Sequence, residues 1–278
     1  MNESNMPGGA QAVERALSIV EYVASVETPV TVSEIAQHVG LNRNTAYRLT
    51  RTLEARDYLE VDNGAYTLGP RLVVLSQAAL RRNILLRKSD PVLQEVSDRL
   101  GEVVNLGIRR GDEVFYLSRW ETSEPGLGVY VRTGQRAPLY ASALGKVLLA
   151  GMPHDARDQY YRRCPFRTYT PQTIATSSDL EAAVRSAEAM GYAEDLEELS
   201  LGVRCVAVPI RVGGAIIAAA SVSAPLARCT DERRRLALDL LRNAARRIED
   251  ALTTVRSVVP TVADVVGTEN LGGGPERP

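Results

Sequence analysis

Apolar residues in the first sixty positions recur every three or four residues, the spacing that places them on one face of an α-helix. The periodicity stops at Thr28 and Pro29 and again at Gly40, so this segment divides into short helices. Thr31 and Glu34 match the residue pair of a capping box, which predicts where the second helix begins. The three predicted helices span about residues 11–26, 31–40 and 42–56.

The third predicted helix separates apolar from cationic positions along its length. Its apolar stripe contains Ala46, Leu49 and Leu53, so its arginines must project from the opposite, exposed side. The major groove of DNA admits one α-helix, whose first turns read bases while cations bind phosphates. A solvated surface helix is the alternative that an isolated run of arginines favours. The predicted DNA contacts are Arg43, Asn44, Thr45, Tyr47, Arg48 and Arg51.

Two short β-forming runs follow, joined by Asn63 and Gly64, a pair that suits the left-handed positions of a type I′ turn. They predict a two-stranded wing. Three helices and a wing within about 60 residues favour a DNA-binding domain over a solvated surface helix. Pro70 then opens a long predicted helix with basic residues at its end, which we interpret as a linker.

Beyond Asp90 and Pro91 the pattern alternates between strands and helices. The predicted strands lie at 103–108, 113–119, 129–132, 203–210 and 215–224, and the predicted helices end at about residue 100 or span 141–150, 154–162, 179–190 and 231–255. The predicted fold class is therefore α+β. Its parts are a disordered N-terminus (1–9), a winged helix-turn-helix domain (10–69), a linker helix (70–89), an α/β domain (90–256) and a disordered tail (257–278).

Composition narrows the possible partners and the cellular setting. The net charge of −1 excludes a uniformly basic nucleic-acid coat, so any DNA contact must come from a local patch. Three widely spaced cysteines argue against a disulfide framework and a thiolate zinc site, and favour a reducing cytoplasm. The longest apolar run is far shorter than the ~20 residues that span a bilayer, so no membrane insertion is expected.

Motifs for metal, nucleotide and dinucleotide chemistry are incomplete. The two histidines do not form a metal-binding pair, and Lys146 is followed by valine where a phosphate loop has serine or threonine. Gly126 and Gly128 alone are weak evidence for a dinucleotide site. We expect no metal, no cofactor and no catalysis.

A polar group of residues in the C-terminal half has two interpretations. Cys205 lies in an apolar run, where a thiol is more often a small core residue than a nucleophile. The acidic run from Glu194 to Glu198 is typical of a solvated loop, yet a carboxylate opposite Ser221 and Ser223 could line a polar cavity. Strand alternation places those two serines on one face. Nearby aromatic residues, Tyr116 among them, more often serve as core or interface than as a ligand cage, so we keep them only as second-rank pocket candidates.

Several phrases together resemble the IclR family of bacterial transcriptional regulators over nearly the whole predicted ordered length. They are RALSIVEYVA, TVSEIAQHVGLNRNTAYRLTRTLEARDYL, YTLGPRLVVLS, APLYASALGKVLLA, GYAEDLEELSLGVRCVAVPI and SVSAP. The resemblance implies a winged helix-turn-helix, a helical linker and a GAF-like effector-binding domain. It also implies a homodimer or tetramer that binds double-stranded operator DNA and a small metabolite, often an organic or aromatic acid.

The resemblance also implies an effector pocket in the C-terminal domain, and this chain departs from the family at two positions. Asp57 stands where the family usually has glycine after the recognition helix, and Gly126 stands where members tend to have a bulkier pocket residue. The alternatives are a GAF-domain thiol enzyme or redox sensor that uses Cys205, and an adaptor whose winged helix binds protein. The implied pocket residues are Val129, Ala143, Leu144, Asp195, Val203, Cys205, Ser221 and Ser223.

Overall fold

The computed structural model describes residues 8–121 and 132–256, and these divide into two units at the bond between Arg82 and Asn83. The predicted disordered ends lie outside the described residues at 1–7 and 257–278, and the predicted strand at 129–132 lies outside them up to residue 131. None of the helices in the described part of the chain is both long and apolar enough to cross a membrane.

The N-terminal unit combines four helices with a small antiparallel sheet whose strand order is β1-β3-β2 among the described residues. Its core is formed by side chains from α1, α2 and all three strands, with Ile19 and Ile35 fully buried. In chain order its elements are α1 (Gly8–Ser25), β1 (Val30–Thr31), α2 (Val32–Val39), α3 (Arg43–Glu54), β2 (Leu59–Asp62), β3 (Ala65–Leu68) and α4 (Pro70–Arg82).

The start of α1 corrects one prediction. The helix begins at Gly8, so the expectation of disorder over residues 1–9 is wrong for its last two positions. The amide groups of a first helical turn have no intrahelical partner, and glycine is better tolerated at a helix end than in its interior.

The capping box of α2 is confirmed. The Glu34 amide donates to Thr31 Oγ1 over 3.4 Å, and the Thr31 amide donates to Glu34 Oε2 over 2.7 Å. This second hydrogen bond, followed by that of the Thr31 hydroxyl, lowers the pKa of Glu34. Gly40 ends the helix with a left-handed φ of 69°, so both ends of α2 are set by local residue chemistry.

The wing is also confirmed, with Leu59 opposite Leu68 and Asp62 opposite Ala65. Asn63 and Gly64 join its strands at φ values of 50° and 79°, as a type I′ turn requires. Asp57 has a φ of 61°, so the aspartate takes the left-handed conformation that glycine adopts more easily.

The predicted continuous helix over residues 70–89 is wrong. It ends at Arg82, and Asn83 caps a new helix, α5 (Ile84–Leu100), by accepting from the Leu86 amide over 3.0 Å. An asparagine side chain at this position satisfies an amide that would otherwise lack a partner. Pro91 lies inside α5 rather than at a boundary, because burial of Val92 and Leu93 offsets the cost of a proline within a helix.

The C-terminal unit is built on a six-stranded antiparallel sheet with strand order β6-β5-β4-β9-β8-β7. Helices α5 and α9 pack on one face of the sheet, and α6 and α8 pack on the other. After α5 its elements are β4 (Val103–Arg110), β5 (Glu113–Trp120), β6 (Arg136–Pro138), α6 (Ala143–Ala150), α7 (His154–Arg163), α8 (Ser177–Met190), β7 (Ala193–Leu196), β8 (Val203–Val212), β9 (Ala215–Pro225) and α9 (Asp231–Arg256).

Strand β7 corrects the solvated-loop interpretation of the acidic run. Asp195 pairs with Cys205 of β8, and both Asp195 and Glu198 are buried. Two of the four residues of this strand are acidic, so it lacks the alternation of apolar and polar residues from which a strand can be predicted. The fold class is confirmed, whereas the GAF-like assignment of the C-terminal unit stays a prediction.

Candidate functional site

Helix α3 presents most of the predicted DNA-binding residues to solvent. Its N-cap, Asn42, accepts from the Thr45 amide over 2.8 Å, and Ala46 and Thr50 anchor the opposite side of the helix in the unit. Thr45 is half-buried and so is less available than its neighbours. The exposed predicted contacts are Arg43, Asn44, Tyr47, Arg48 and Arg51.

The arginines of α3 differ in their electrostatic surroundings. Arg51 donates to both carboxylate oxygens of Glu54 over 2.8 Å. Arg43 and Arg48 form no ion pair with any other described residue. Their positive charges therefore remain available to a polyanion, whereas Arg51 must first leave Glu54.

A second candidate site is formed where three strands bring polar side chains together. Register places Asp195 beside Cys205 and Cys205 beside Ser223. The Cys205 thiol donates to Ser223 Oγ over 3.2 Å. Asp195, Ser221 and Ser223 are each at most 4% exposed, and alternation places all four side chains on the face that α6 and α8 cover.

Helix α6 contributes both apolar and cationic groups to this face. Ala143 and Leu144, at its start, are buried, and Ser142 caps it by accepting from the Gly145 amide. Lys146 is buried, donates to the Glu194 carbonyl over 2.7 Å and forms an ion pair with Glu198. Lys146, which does not complete a phosphate-loop motif, therefore holds the acidic run from Glu194 to Glu198 against α6.

Most of the predicted pocket residues that lie in the described part of the chain come together on one face of the sheet. Asp195, Cys205, Ser221 and Ser223 share one sheet face, and Ala143 and Leu144 belong to the buried apolar cluster on that face. Val203 lies at the half-buried start of β8, two residues before Cys205 and on the same side. Val129 lies outside the described residues, as does Gly126.

Two further residues belong to this face: Asn105, which was not recognised as a site residue in the sequence, and Tyr116, which was only a second-rank candidate. Asn105 of β4 is 1% exposed and donates through Nδ2 to Ser223 Oγ over 3.2 Å, whereas its Oδ1 has no hydrogen-bond partner among the described residues. Tyr116 of β5 is buried, and burial, followed by the charges of Cys205 and Asp195, raises the pKa of its hydroxyl. An asparagine within the otherwise apolar run VVNLGI was the available signal.

Burial controls the acid–base character of this group. It raises the pKa of Asp195 to about 7, with repulsion from Glu198 adding to the rise and the Glu198 amide and Lys146 opposing it. Burial and then the charge of Asp195 also raise the pKa of the Cys205 thiol. A nucleophilic cysteine needs the opposite shift, so the chemistry of Cys205 does not favour a thiol enzyme.

Asp195→Asn is expected to remove a pH-dependent destabilisation. The native carboxyl binds its proton more tightly than the unfolded one, whose pKa is near 3.8, so the wild type loses stability as pH rises toward about 7. The asparagine variant lacks this loss. Between about pH 5 and about pH 8, the free energy of unfolding of the wild type should fall by about 2–3 kcal/mol relative to the variant.

Urea unfolding of both proteins at the two pH values measures this difference, and Asp239→Asn, on an exposed position of α9, is the matched control. Equal pH dependence in the wild type and Asp195→Asn would contradict a raised native pKa.

A winged helix with an exposed cationic recognition helix, joined in one chain to a separate α/β unit, defines a DNA-binding transcriptional regulator. Comparison with known families agrees with this class. The model of "Bacterial transcriptional regulator IclR C-terminal" matches residues 77–250, and that of "IclR helix-turn-helix domain" matches residues 12–63. The chain belongs to the IclR family of transcriptional regulators.

Individual proteins support the same assignment. The chain is 36% identical over 245 residues to the HTH-type transcriptional regulator BhcR of Paracoccus denitrificans, with 87% of each chain covered. The crystal structure of Thermotoga maritima IclR matches with a TM-score of 0.76 and 28% identity, over 88% of this chain and 99% of that one.

A further solved structure contains a bound small molecule. It is an IclR homolog from Microbacterium hydrocarbonoxydans complexed with 4-hydroxybenzoate, and it matches with a TM-score of 0.75 and 28% identity over 87% of this chain and 99% of that one. These comparisons do not support the thiol-enzyme alternative.

Proposed function

We propose that this regulator binds operator DNA as a homodimer or tetramer and that a small organic acid modulates the binding. The observation that carries the DNA-binding part is the exposed face of α3, with Arg43 and Arg48 outside any ion pair among the described residues. We further propose that it acts in the cytoplasm, where bacterial DNA lies, and catalyses no reaction.

The effector site we propose is the polar group on the α6 side of the sheet. Ala143, Leu144 and Val203 place apolar groups on the same side of the sheet as these hydrogen-bonding groups, the combination typical of small-molecule sites. Asn105 Oδ1 is a buried acceptor without a partner among the described residues, so a ligand donor there would satisfy it. The 4-hydroxybenzoate bound to the Microbacterium hydrocarbonoxydans homolog carries both a hydroxyl and a carboxyl group, which supports an organic acid as the ligand class.

Self-association is proposed from the surface of α4. This helix has no buried residue in the chain, yet it carries Val73, Val74, Leu75 and Leu80, all of them exposed. Water-exposed apolar residues in this number on one short helix favour burial against a second copy. Two copies would present two recognition helices to the two halves of an operator.

Arg48→Ala is expected to weaken operator binding about ten- to a hundredfold, because one charge-assisted contact of an exposed arginine is lost. If Arg48 binds a phosphate, the salt dependence of binding should also flatten by about one charge. Fluorescence anisotropy with a duplex from the region upstream of the gene, at several salt concentrations, measures both effects.

Arg185→Ala, which removes another exposed arginine, on α8 of the other unit, is the control and should leave affinity unchanged. Equal affinity of the wild type and Arg48→Ala would remove Arg48 from the DNA-binding surface. Absence of any duplex binding at low salt would instead favour the adaptor alternative.

The effector part has its own experiment. An acid that binds one arrangement of the dimer more tightly shifts the population and alters operator affinity by about 1–3 kcal/mol. Operator titrations with a panel of organic and aromatic acids measure this coupling. Acids that bind the protein but leave operator affinity unchanged would refute the effector role.

A further inference from the structure

A second cavity lies on the opposite face of the sheet, between β7, β8 and β9 and the start of α9. Its volume is about 390 Å³, within the range of small-molecule sites. Its apolar lining includes Val206, Val222 and Ala224, which alternation directs away from Ser221 and Ser223. Among the described residues, Cys205 alone belongs both to the proposed effector group and to the lining of this cavity.

Four arginines surround this apolar lining, namely Arg204, Arg228, Arg233 and Arg234, against three lining carboxylates. Two of the arginines share one acid. Arg228 donates to both oxygens of Glu102 over 2.8 and 2.7 Å, and Arg233 donates to the same carboxylate over 3.2 Å. Glu102 is buried, so a single negative charge compensates two guanidinium groups.

Arg204 is the least satisfied of the four. Its closest carboxylate oxygen, on Glu197, is 3.8 Å away, whereas Arg234 lies 3.0 Å from Glu194. The Nε of Arg204 is shielded from solvent and has no hydrogen-bond partner among the described residues. A shielded donor without an acceptor is unfavourable, and a ligand oxygen would satisfy it.

We propose that this cavity binds a small organic anion, with a carboxylate or similar oxyanion on Arg204 and an apolar body against Val206, Val222 and Ala224. The planar guanidinium fork matches two oxygens of one anionic group, which a compact ammonium does not. The shielded, unpartnered Nε of Arg204 favours an anion, and the apolar lining favours an organic one over inorganic phosphate. This site lies on the opposite face of the sheet from the proposed effector group, and the proposal does not depend on that group, although Cys205 borders both.

Cys229 provides a reporter of occupancy because it lines the cavity and is partly exposed, whereas Cys164, at the end of α7, lines a different cavity. Alkylation of the full-length protein at alkaline pH, read at each cysteine by mass spectrometry, measures accessibility site by site. The probe is sodium benzoate at about 10 mM, a concentration that nearly fills a site with a Kd near 1 mM. Benzamide has the same apolar body without charge, and inorganic phosphate has charge without an apolar body.

Benzoate is expected to slow alkylation of Cys229 at least about fivefold in the wild type and to leave Cys164 unchanged, because a filled site excludes the reagent. Benzamide and phosphate should protect much less. Arg204→Gln should abolish the protection. The matched control is Arg99→Gln, which removes an exposed arginine with a similarly long 4.0 Å contact, and it should retain the protection.

Equal Cys229 rates with and without benzoate in the wild type would overturn the proposal. So would equal protection by benzamide, or undiminished protection in Arg204→Gln. A faster alkylation of Cys164 in Arg204→Gln would indicate misfolding of that variant. In that case Ala224→Leu tests the proposal, because the larger side chain fills the cavity and must also abolish the protection of Cys229 by benzoate. These rates do not depend on operator binding, so they separate this proposal from the regulatory one.

Discussion

Replacing both Val73 and Leu80 of α4 by aspartate is expected to produce a monomer that binds operator DNA at least about a hundredfold more weakly. The two residues are seven positions apart and therefore lie on one face of the helix, where both are about half exposed in the single chain. Two buried carboxylates would cost far more than the apolar contacts they replace. A monomer also loses the combined affinity of two linked half-site contacts.

Sedimentation velocity measures the oligomeric state, and anisotropy measures operator affinity. The matched control is the double variant Arg71→Gln and Arg82→Gln, which changes the net charge by the same amount on the opposite side of α4. It should keep the oligomeric state of the wild type. A Val73→Asp, Leu80→Asp protein with the same oligomeric state as the wild type would place the self-association surface elsewhere.

Gly145→Ala is expected to destabilise the C-terminal unit by about 3 kcal/mol or more and to lower its Tm by roughly 6–12 °C. A β-carbon at Gly145 would lie 2.1 Å from the carbonyl oxygen of Leu139 and 2.4 Å from its Cα. These are backbone atoms, so the 3-10 turn Leu139–Ala141 or α6 itself must move. The small gain from alanine within a helix does not compensate.

Differential scanning calorimetry measures this loss, and Gly111→Ala is the informative control. Gly111 has a left-handed φ of 60° but no atom within 4 Å of a built β-carbon. Its replacement should cost only about 1 kcal/mol, from backbone strain alone. Similar losses for the two variants would mean that the close approach of α6 to Leu139 is not what requires glycine.

Local chemistry explains which parts of the fold could be predicted. Thr31 with Glu34 and Asn63 with Gly64 act within three or four residues of themselves, so helix α2 and the wing follow from their own segments. The exposed face of α3 could likewise be predicted, because it follows from the spacing of apolar residues within that one helix.

Strand β7 and the polar group around it depend instead on partners far along the chain. Asp195 is a strand residue because β8 pairs with it, and Lys146 is buried because Glu198 reaches it from 52 positions away. The resemblance to a family indicated Asp195, Cys205, Ser221 and Ser223 as neighbours, whereas spacing alone left a solvated loop open. Asn105 and the arginine-lined cavity required the assembled sheet.

The interruption at Asn83 makes the chain divisible. Because that asparagine caps α5 with its own side chain, everything from residue 83 onward carries its own helix start and needs nothing from the preceding helix to begin. The N-terminal, DNA-binding unit could therefore be exchanged at the bond between Arg82 and Asn83 without leaving the start of α5 uncapped.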